Sequence, residues 1–420
     1  MSGWTAARVT IAAIALLPLP GALAGTEVRA LGGTFQEEVK SIGPDGGKLV
    51  VLTASRTIPL DQVKSIRFQE PGSPPAERRA VKLLLTTGDL LRGTVAPGAK
   101  EDEVVLATRA LGEVRVKFGL LRGLVTEASG DRERELLTRA GARQEQFDEV
   151  FLREGGSAKG SVLRIEPFGV KVDTDVPGGS NFGQPSYDLE KVELVAMALL
   201  EDPPAAPPGI RVQLRLVDGS LLSGVLEGLA SEQIKLKHPL APGGTLSVPV
   251  SRAAELVVQN GAFVYLSDLD PESVDQRFPP EFSYSVEAYG WKRDRCVTGK
   301  GPLRLGGRVW DKGLGVHSYA ALTYKLDGAF RQFRALVGLD DSTRNMGEPG
   351  FGAVVFKVLL DGKPAREYPT GFVARKGEPP KELEVDVSSA QRITLVADFD
   401  PTSLHVLGRA DWADAHLIRK

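Results

Sequence analysis

Residues 312–318 read Lys-Gly-Leu-Gly-Val-His-Ser, the third of six short phrases spread over roughly the last 160 residues of the 420-residue chain. In chain order the other five are Tyr265-Leu266-Ser267-Asp268-Leu269, Leu305-Gly306-Gly307, Val337-Gly338-Leu339-Asp340-Asp341, residues 354–362 and Ala410-Asp411-Trp412-Ala413-Asp414-Ala415. One such phrase carries little information. Six in a fixed order indicate one domain over roughly residues 262–420.

Together these phrases resemble the NPCBM family of carbohydrate-binding modules, over roughly residues 262–420. The resemblance implies a galactose-binding-like jelly-roll β-sandwich that binds sugar. Such a sandwich is not an enzyme by itself, although family members are often attached to glycoside hydrolases. The function of the chain therefore depends on what the preceding residues add.

A sugar is bound by two physical means: aromatic faces stack on its C–H groups, and planar polar side chains hydrogen-bond its hydroxyls. The candidate carbohydrate-binding residues are Trp291, Trp310, His317, Asp340, Asp341 and Arg344. Residues 289–294, 308–318 and 340–350 surround them and are rich in Gly, Asp and Arg, which predicts loops at one end of the sandwich. We expect the binding site in these loops.

Several of these candidates have a purely structural alternative. His317 matches the histidine of the family's Gly-Leu-Gly-x-His phrase, and it is either a ligand or a satisfied, half-buried histidine. Trp291 stands beside three charged residues, which indicates an exposed ring. Trp310 is either a ligand or a packing residue, and Trp412 is expected in the core.

Asp340 and Asp341 have three interpretations: they bind sugar hydroxyls, coordinate a structural calcium, or hold a turn. Calcium takes several oxygen ligands, carboxylates among them, and galactose-binding-like folds often carry one. The sequence does not locate the remaining ligands of a metal site. Calcium is the one cofactor that we consider.

The first 24 residues are typical of a secretory signal peptide. Arg8 supplies the positive region, residues 9–17 the apolar region, and Ala22-Leu23-Ala24 the cleavage site. The apolar run is short for a bilayer span and two prolines follow it closely. We therefore expect cleavage rather than a retained anchor, no later transmembrane segment, and a location in the periplasm, at the cell surface or outside the cell.

Composition and motifs argue against several function classes. The 52 Lys and Arg residues nearly balance the 54 Asp and Glu residues, which disfavours a nucleic-acid partner. The single cysteine, Cys296, excludes an internal disulfide and is expected to be a buried thiol. The four histidines match no metal motif, and neither a Gly-x-Ser-x-Gly elbow nor a phosphate loop is present. We predict that the chain is not an enzyme.

The residues before the sandwich contain an internal repeat. The spacing Gly-x4-Gly recurs at Gly88–Gly93, Gly155–Gly160 and Gly219–Gly224, each time after an alternating apolar run. Glycine permits a positive φ at a hairpin tip, and the alternation turns one apolar face inward. Each unit is therefore predicted to curl about four or five short strands into a small barrel, similar to SH3-like or Sm-like barrels.

The sequence thus predicts an all-β chain in which several small SH3-like or Sm-like barrels in tandem precede the sandwich. The predicted parts are a signal peptide at residues 1–24, repeats at 25–70, 78–128, 148–200 and 209–260, a charged linker helix at 131–146, and the sandwich at 262–420.

The leading functional prediction is an exported, non-catalytic protein of the cell envelope whose sandwich binds a galactose-type or other glycan. The alternative is an envelope scaffold, in which the sandwich has lost sugar binding and the repeats dock an envelope protein. An aromatic ring lying flat in a concave loop surface favours the first hypothesis, and a convex charged end favours the second.

Overall fold

The computed structural model describes residues 26–69, 79–126, 128, 130–142, 145–179, 183–199, 207–241, 243–277, 289–347, 351–401 and 406–420. The predicted signal peptide lies outside these residues. The described residues form 35 β-strands and one α-helix, so the predicted all-β class is confirmed. Within the same ranges no helix has the length and apolar character required to cross a bilayer.

The strands before residue 260 fall into four groups. The first comprises β1 (Glu27–Ala30), β2 (Gly33–Gln36), β3 (Val39–Asp45), β4 (Lys48–Thr53), β5 (Thr57–Pro59), the 3-10 helix Leu60–Gln62 and β6 (Val63–Arg67). The second comprises β7 (Val81–Leu85), β8 (Leu90–Val95), β9 (Glu103–Thr108), β10 (Gly112–Lys117), the 3-10 helix Phe118–Leu120 and β11 (Leu121–Thr126). The helix α1 (Gly130–Ala142) follows.

The third group comprises β12 (Asp148–Leu152), β13 (Ser157–Glu166), β14 (Gly169–Asp173), β15 (Ser186–Asp188) and β16 (Val192–Ala196). The fourth comprises β17 (Arg211–Leu216), β18 (Leu221–Ala230), β19 (Gln233–Lys237), β20 (Thr245–Pro249), the 3-10 helix Val250–Arg252 and β21 (Ala253–Val258).

In each group the first strand pairs antiparallel with the last: β1 with β6, β7 with β11, β12 with β16, and β17 with β21. Further pairings cross from group to group, chiefly β6 with β21 and β11 with β16. These crossings join all 21 strands into one hydrogen-bonded network. That the groups are separate small barrels therefore stays a prediction.

The Gly-x4-Gly repeat marks where each of the last three groups turns and bends. Gly88 has a φ of 84° in the turn after β7, a conformation that other residues rarely adopt. Gly93 lies inside β8, where a Cβ atom would sit 2.3 Å from the carbonyl oxygen of Ala107 on β9. The same close approach to a neighbouring carbonyl occurs at 2.1 Å for Gly160 and at 2.7 Å for Gly224. The second glycine of the repeat thus permits close strand contact.

The linker helix α1 ends at Ala142, earlier than the predicted residue 146, with residues 143 and 144 outside the description. Leu136 and Ala140 are buried against Phe151 and neighbouring strand residues. On the charged face, Arg132 forms an ion pair with Glu193 at 2.6 Å. The helix therefore packs on the strand groups rather than only separating them.

The remaining strands build the C-terminal sandwich. They are β22 (Phe263–Tyr265), β23 (Ser273–Gln276), β24 (Lys292–Arg293), β25 (Leu303–Leu305), β26 (Arg308–Trp310), β27 (Gly313–His317), β28 (Ala320–Lys325), β29 (Phe330–Leu339), β30 (Ala353–Leu360), β31 (Lys363–Pro364), β32 (Phe372–Arg375), β33 (Lys381–Asp386), β34 (Arg392–Phe399) and β35 (Arg409–Arg419). Two 3-10 helices, Leu266–Asp268 and Asp341–Thr343, lie among them.

Twelve of these strands form two six-stranded sheets, which confirms the predicted sandwich, and β25 pairs with β26 in a separate hairpin. The first sheet has the order β24-β27-β35-β29-β33, with β22 beside β35. The second has the order β23-β28-β34-β30-β31, with β32 beside β30. Trp412 of β35 is fully buried, and its ring meets that of Phe356 edge-on at 5.1 Å. Trp412 is thus a core residue, as predicted.

The two glycines within residues 312–318 are explained by the chain that packs on the outer face of the first sheet. Leu314 and Val316 of β27 are buried in the sandwich core. A Cβ atom at Gly315 would lie 2.1 Å from the carbonyl oxygen of Arg295, and one at Gly313 would lie 2.3 Å from that of Trp412. Because glycine has no Cβ atom, the neighbouring backbone, including the segment before β25, packs directly on β27. All five residues of β27 are buried as a result.

We expect Gly93→Ala to lower the stability of the chain by about 1–3 kcal/mol, because the added methyl group would overpack the contact with the Ala107 carbonyl. Gly119→Ala is the matched control in the same strand group, because the space around Gly119 is open. Denaturation midpoints of the two variants, followed by circular dichroism, measure the effect. Equal midpoints would remove the proposed role of the second glycine.

Candidate functional site

One end of the sandwich brings together several strand termini, and we call it the loop end. Here β27 stops at His317, β29 stops at Leu339, and β35 starts at Arg409. His317 stands opposite Arg409 in the ladder, and Leu339 stands opposite Ala410. The loop end thus collects side chains that are far apart in the sequence.

His317 is the last residue of a strand rather than a loop residue, so the loop predicted over residues 308–318 is wrong. Its side chain is only 3% exposed. Its Nδ1–H donates to the Ser318 carbonyl oxygen at 2.7 Å, and the Tyr289 ring lies 5.2 Å away. Burial lowers the pKa of His317, and the positive charge of Arg409 lowers it further. The neutral imidazole therefore holds the turn after β27 and has little surface for a ligand.

Trp291 is half-buried, so the prediction of a freely exposed ring is wrong. Its backbone N–H donates to Gln276 Oε1 at 3.2 Å, and its ring packs against the sandwich core. The Arg293 guanidinium carbon lies 5.2 Å from the ring centroid. The neighbouring charges thus cover the ring instead of leaving it in solvent.

Asp340 and Asp341 hold backbone in place. Asp340 is 2% exposed and accepts hydrogen bonds from the N–H groups of Arg304 at 3.0 Å and Ser342 at 2.9 Å. Asp341 accepts from the N–H of Gly307 at 2.7 Å. The two carboxylates therefore fasten the β25–β26 hairpin to the turn after β29. Of the three interpretations of these residues, this geometry favours the turn.

The carboxylates of Asp340 and Asp341 do not fit a calcium site. Both oxygens of Asp340 already face backbone N–H groups, whereas a calcium ion needs carboxylate oxygens turned toward it. Across the described ranges no group of three or more His, Cys, Asp or Glu side chains is placed to hold a metal. Calcium elsewhere in the chain stays a prediction.

A buried carboxyl group that the sequence did not single out lies beside Asp340. Asp411 is fully buried, and burial raises its pKa well above the usual range, helped by the negative charge of Asp340. Cys296, buried as predicted, is also a neighbour. A protonated Asp411 can donate a hydrogen bond to Asp340. The sequence around Trp412 contained a signal for the position of Asp411. Side chains alternate along a strand, so a core residue at position 412 places its neighbours on the opposite face of the sheet.

Exposed polar and aromatic side chains surround this buried cluster. Arg344 is exposed directly after the 3-10 helix Asp341–Thr343. Arg409 is partly exposed, with Nη1 3.6 Å from Met346 Sδ. The half-buried Tyr319 ring has the Arg277 guanidinium carbon 5.5 Å from its centroid. Arg409 and Tyr319 were missed from the sequence, although both adjoin residues of the motif phrases.

Trp310 lies away from this end of the sandwich. It ends β26, close to the start of β27, whereas His317 lies at the far end of the same strand. At a rise of about 3.4 Å per residue, β27 alone separates the two places by roughly 14 Å. Trp310 instead lines a cleft of about 670 Å³ between the sandwich and the first strand group. The six predicted binding residues therefore occupy more than one site.

Comparison with known families identifies the C-terminal region. Residues 262–418 match the family model described as the NPCBM/NEW2 domain. This confirms the resemblance inferred from the six phrases. The preceding strand groups are outside the matched residues, and their likeness to SH3-like or Sm-like barrels stays a prediction.

One relative is a protein of Renibacterium salmoninarum whose name assigns it provisionally to the endo-alpha-N-acetylgalactosaminidases. It is 28% identical over 117 residues, which cover 28% of this chain and 7% of the relative. The chain therefore matches only a small part of that relative's length.

Similar solved structures include CBM51 modules. A Clostridium perfringens structure of the CBM51-2 and INT domains of ZmpB is 25% identical, covering 44% of this chain and 36% of its own, with a TM-score of 0.32. The CBM51 module of C. perfringens GH95 in complex with methyl-galactose is 21% identical, covering 37% of this chain and 99% of its own, with a TM-score of 0.30.

We expect Asp411→Asn to remove a pH dependence of stability. The folded chain keeps Asp411 protonated above its ordinary pKa of 3.8, whereas the unfolded chain ionises it there. Stability from this group is therefore fully present below that value and is lost as pH rises toward the raised folded pKa, by up to about 1.4 kcal/mol per pH unit.

An asparagine at position 411 cannot ionise, yet its amide can still donate to Asp340. Melting temperatures are measured between pH 5 and pH 9, with about one reading per pH unit. They should therefore fall less steeply with rising pH for Asp411→Asn than for the native chain. The exposed Asp45→Asn is the control and should follow the native curve. Parallel curves for all three proteins would show that Asp411 ionises normally in the fold.

Proposed function

We propose that this chain is an exported, non-catalytic carbohydrate-binding protein, and that the loop end of its sandwich contacts the glycan. The match of residues 262–418 to the NPCBM/NEW2 model is the observation that carries the proposal. Carbohydrate binding by the sandwich follows from that family. The contact residues, the sugar and the export are inferences of our own.

The charges at the loop end support a sugar contact there. Among the described residues, no carboxylate lies within ion-pair distance of Arg344 or Arg409. A guanidinium is planar and presents its N–H groups as a fork, which suits two neighbouring hydroxyls of a sugar ring. Tyr289 and Tyr319 supply aromatic surface at the same end. The site therefore offers both means of sugar binding.

The buried residues of the loop end position this surface. His317 fixes the turn that leads to Tyr319, and Asp340 holds the turn that leads to Arg344. Rigid support of this kind lowers the entropy lost when a ligand binds. His317, Asp340 and Asp341 are thus proposed as positioning residues, whereas the two arginines are proposed as contacts.

We take galactose-configured glycans as the first sugars to test. The R. salmoninarum relative is named for N-acetylgalactosamine chemistry, and the matched segment is a small part of its length. A module of this size in a much longer chain is consistent with a targeting role. We propose that the present chain binds the same class of sugar and does not hydrolyse it.

The absence of catalysis is proposed from the state of the acidic residues. Hydrolysis of a glycosidic bond commonly uses two carboxyl groups about 5–10 Å apart in one cleft. At the loop end both acidic side chains after β29 already accept hydrogen bonds from backbone N–H groups. Incubation of the chain with any glycan that it binds, followed by a reducing-end assay, should release no sugar.

We expect the double variant Arg344→Ala/Arg409→Ala to weaken glycan binding by about 10-fold to 100-fold. Loss of one hydrogen bond from a charged group costs at least about 1.5 kcal/mol, which sets the 10-fold limit, and loss of one such bond at each arginine costs about 3 kcal/mol in total, which sets the 100-fold limit. A glycan array identifies the ligand of the native chain, and calorimetry then measures the dissociation constant of each variant.

Arg331→Ala is the matched control, because Arg331 is exposed near the opposite end of β29. It should leave the dissociation constant unchanged. Unchanged affinity in the double variant, with melting temperatures equal to the native value, would move the contact away from these arginines. A blank array from a folded native chain would favour the scaffold alternative.

A further inference from the structure

The cleft between the sandwich and the first strand group has walls from these two parts of the sequence, and Glu255 and Val257 of β21 add to them. Trp310 and His416 lie on the sandwich side, and Thr34 and Lys64 lie on the side of the first group. The Lys64 ammonium bridges the parts by an ion pair with Asp414 at 2.7 Å. Arg334 adds a second bridge by donating to the Leu31 carbonyl oxygen at 3.0 Å. The cleft is therefore held open between fixed walls.

The volume of about 670 Å³ is in the range of small-ligand sites. Trp310 is half-buried at the wall, with the Arg308 guanidinium carbon 4.5 Å from its ring centroid. Tyr265 lines the cleft beside it. An aromatic wall among polar side chains is the usual environment of a bound sugar ring.

The charges in the cleft argue against an ionic ligand, because each of its basic side chains already has a carboxylate partner within 4 Å. The pairs are Arg29 with Glu27, Lys64 with Asp414, Arg308 with Glu27, Lys312 with Asp268 and Asp294, and Arg334 with Glu384. A phosphate or carboxylate ligand would have to displace one of these pairs. A neutral ligand would not.

Four buried polar atoms of residues that line the cleft lack a hydrogen-bond partner among the described residues: Trp310 Nε1, His416 Nε2, Arg334 Nε and Glu255 Oε2. All four are closed to solvent, so they shape the wall and do not offer hydrogen bonds to a ligand in the cleft. His416 as a whole is 2% exposed. His416 Nδ1 donates to the Asp414 carbonyl oxygen at 2.5 Å, which leaves Nε2 as an acceptor. Burial and the nearby Lys64 charge lower the pKa of His416 to about 4, so the ring is neutral at pH 7.

We propose that this cleft is a second saccharide site, which takes one or two rings of an uncharged sugar between the sandwich and the first strand group. The C–H face of a sugar ring can stack on the Trp310 ring, and its uncharged hydroxyls leave the ion pairs of the wall intact. This proposal is independent of binding at the loop end.

The test uses the full chain and an array of neutral glycans, with the strongest ligand then followed by calorimetry. Trp310→Ala removes the aromatic wall. Thr34→Trp fills the cleft from the opposite wall, where Thr34 is exposed on β2. Thr57→Trp is its matched control, because Thr57 is an exposed β5 residue that does not line the cleft.

We expect two binding events in the native chain. Trp310→Ala and Thr34→Trp should each remove one of them or weaken it at least tenfold, whereas Thr57→Trp and Arg344→Ala/Arg409→Ala should keep that event. Loss of binding only in the arginine variant would support the loop end and overturn the cleft site. Loss of binding only in the cleft variants would support the cleft site and overturn the loop end as a contact.

Two further outcomes would also overturn the proposal. One is binding that persists unchanged in both cleft variants, provided that their melting temperatures equal the native value. The other is displacement of the sugar by millimolar inorganic phosphate, since this would assign the cleft to an anion.

Discussion

The sandwich depends on one steric constraint, the close cover over the outer face of β27 and β35. Gly313 and Gly315 leave no Cβ atoms between the strand backbone and the chain that packs on it. Both faces of β27 are therefore buried, and the strand reads as a continuous buried run rather than an alternating one. The same cover closes over Asp411, and the loss of contact with water raises the pKa of its carboxyl group.

The strand β35 connects this constraint to both binding surfaces. Alternation along the strand places Trp412 and Leu417 in the core and puts polar residues on the other face. In order along that face come Arg409 at the loop end, Asp411 under the cover, and His416 at the cleft. Asp414 has a φ of 53° between the last two, where the pairing with β29 shifts register. A single strand thus fixes the geometry of both surfaces.

Much of the fold was predictable from local pattern. Gly88 and the other first glycines of the repeat marked turns, and Trp412 marked the core, because both signals depend on nearby residues. The burial of His317 was not predictable, since it depends on Tyr289 and on a ladder partner some 90 residues later. The separation of Trp310 from the other candidates depends on the first strand group, whose contact with the sandwich leaves no pattern in the sequence.

The two surfaces differ in a way that determines how they would act together. At the loop end the guanidinium groups of Arg344 and Arg409 face no carboxylate among the described residues, whereas in the cleft each cation is paired. Seven residues of β35 place the two surfaces about 23 Å apart, well beyond the Debye length of about 8 Å at physiological salt. Charges at one surface therefore have little effect at the other. Occupation of both by one glycan would raise its affinity through effective concentration rather than through any change of shape.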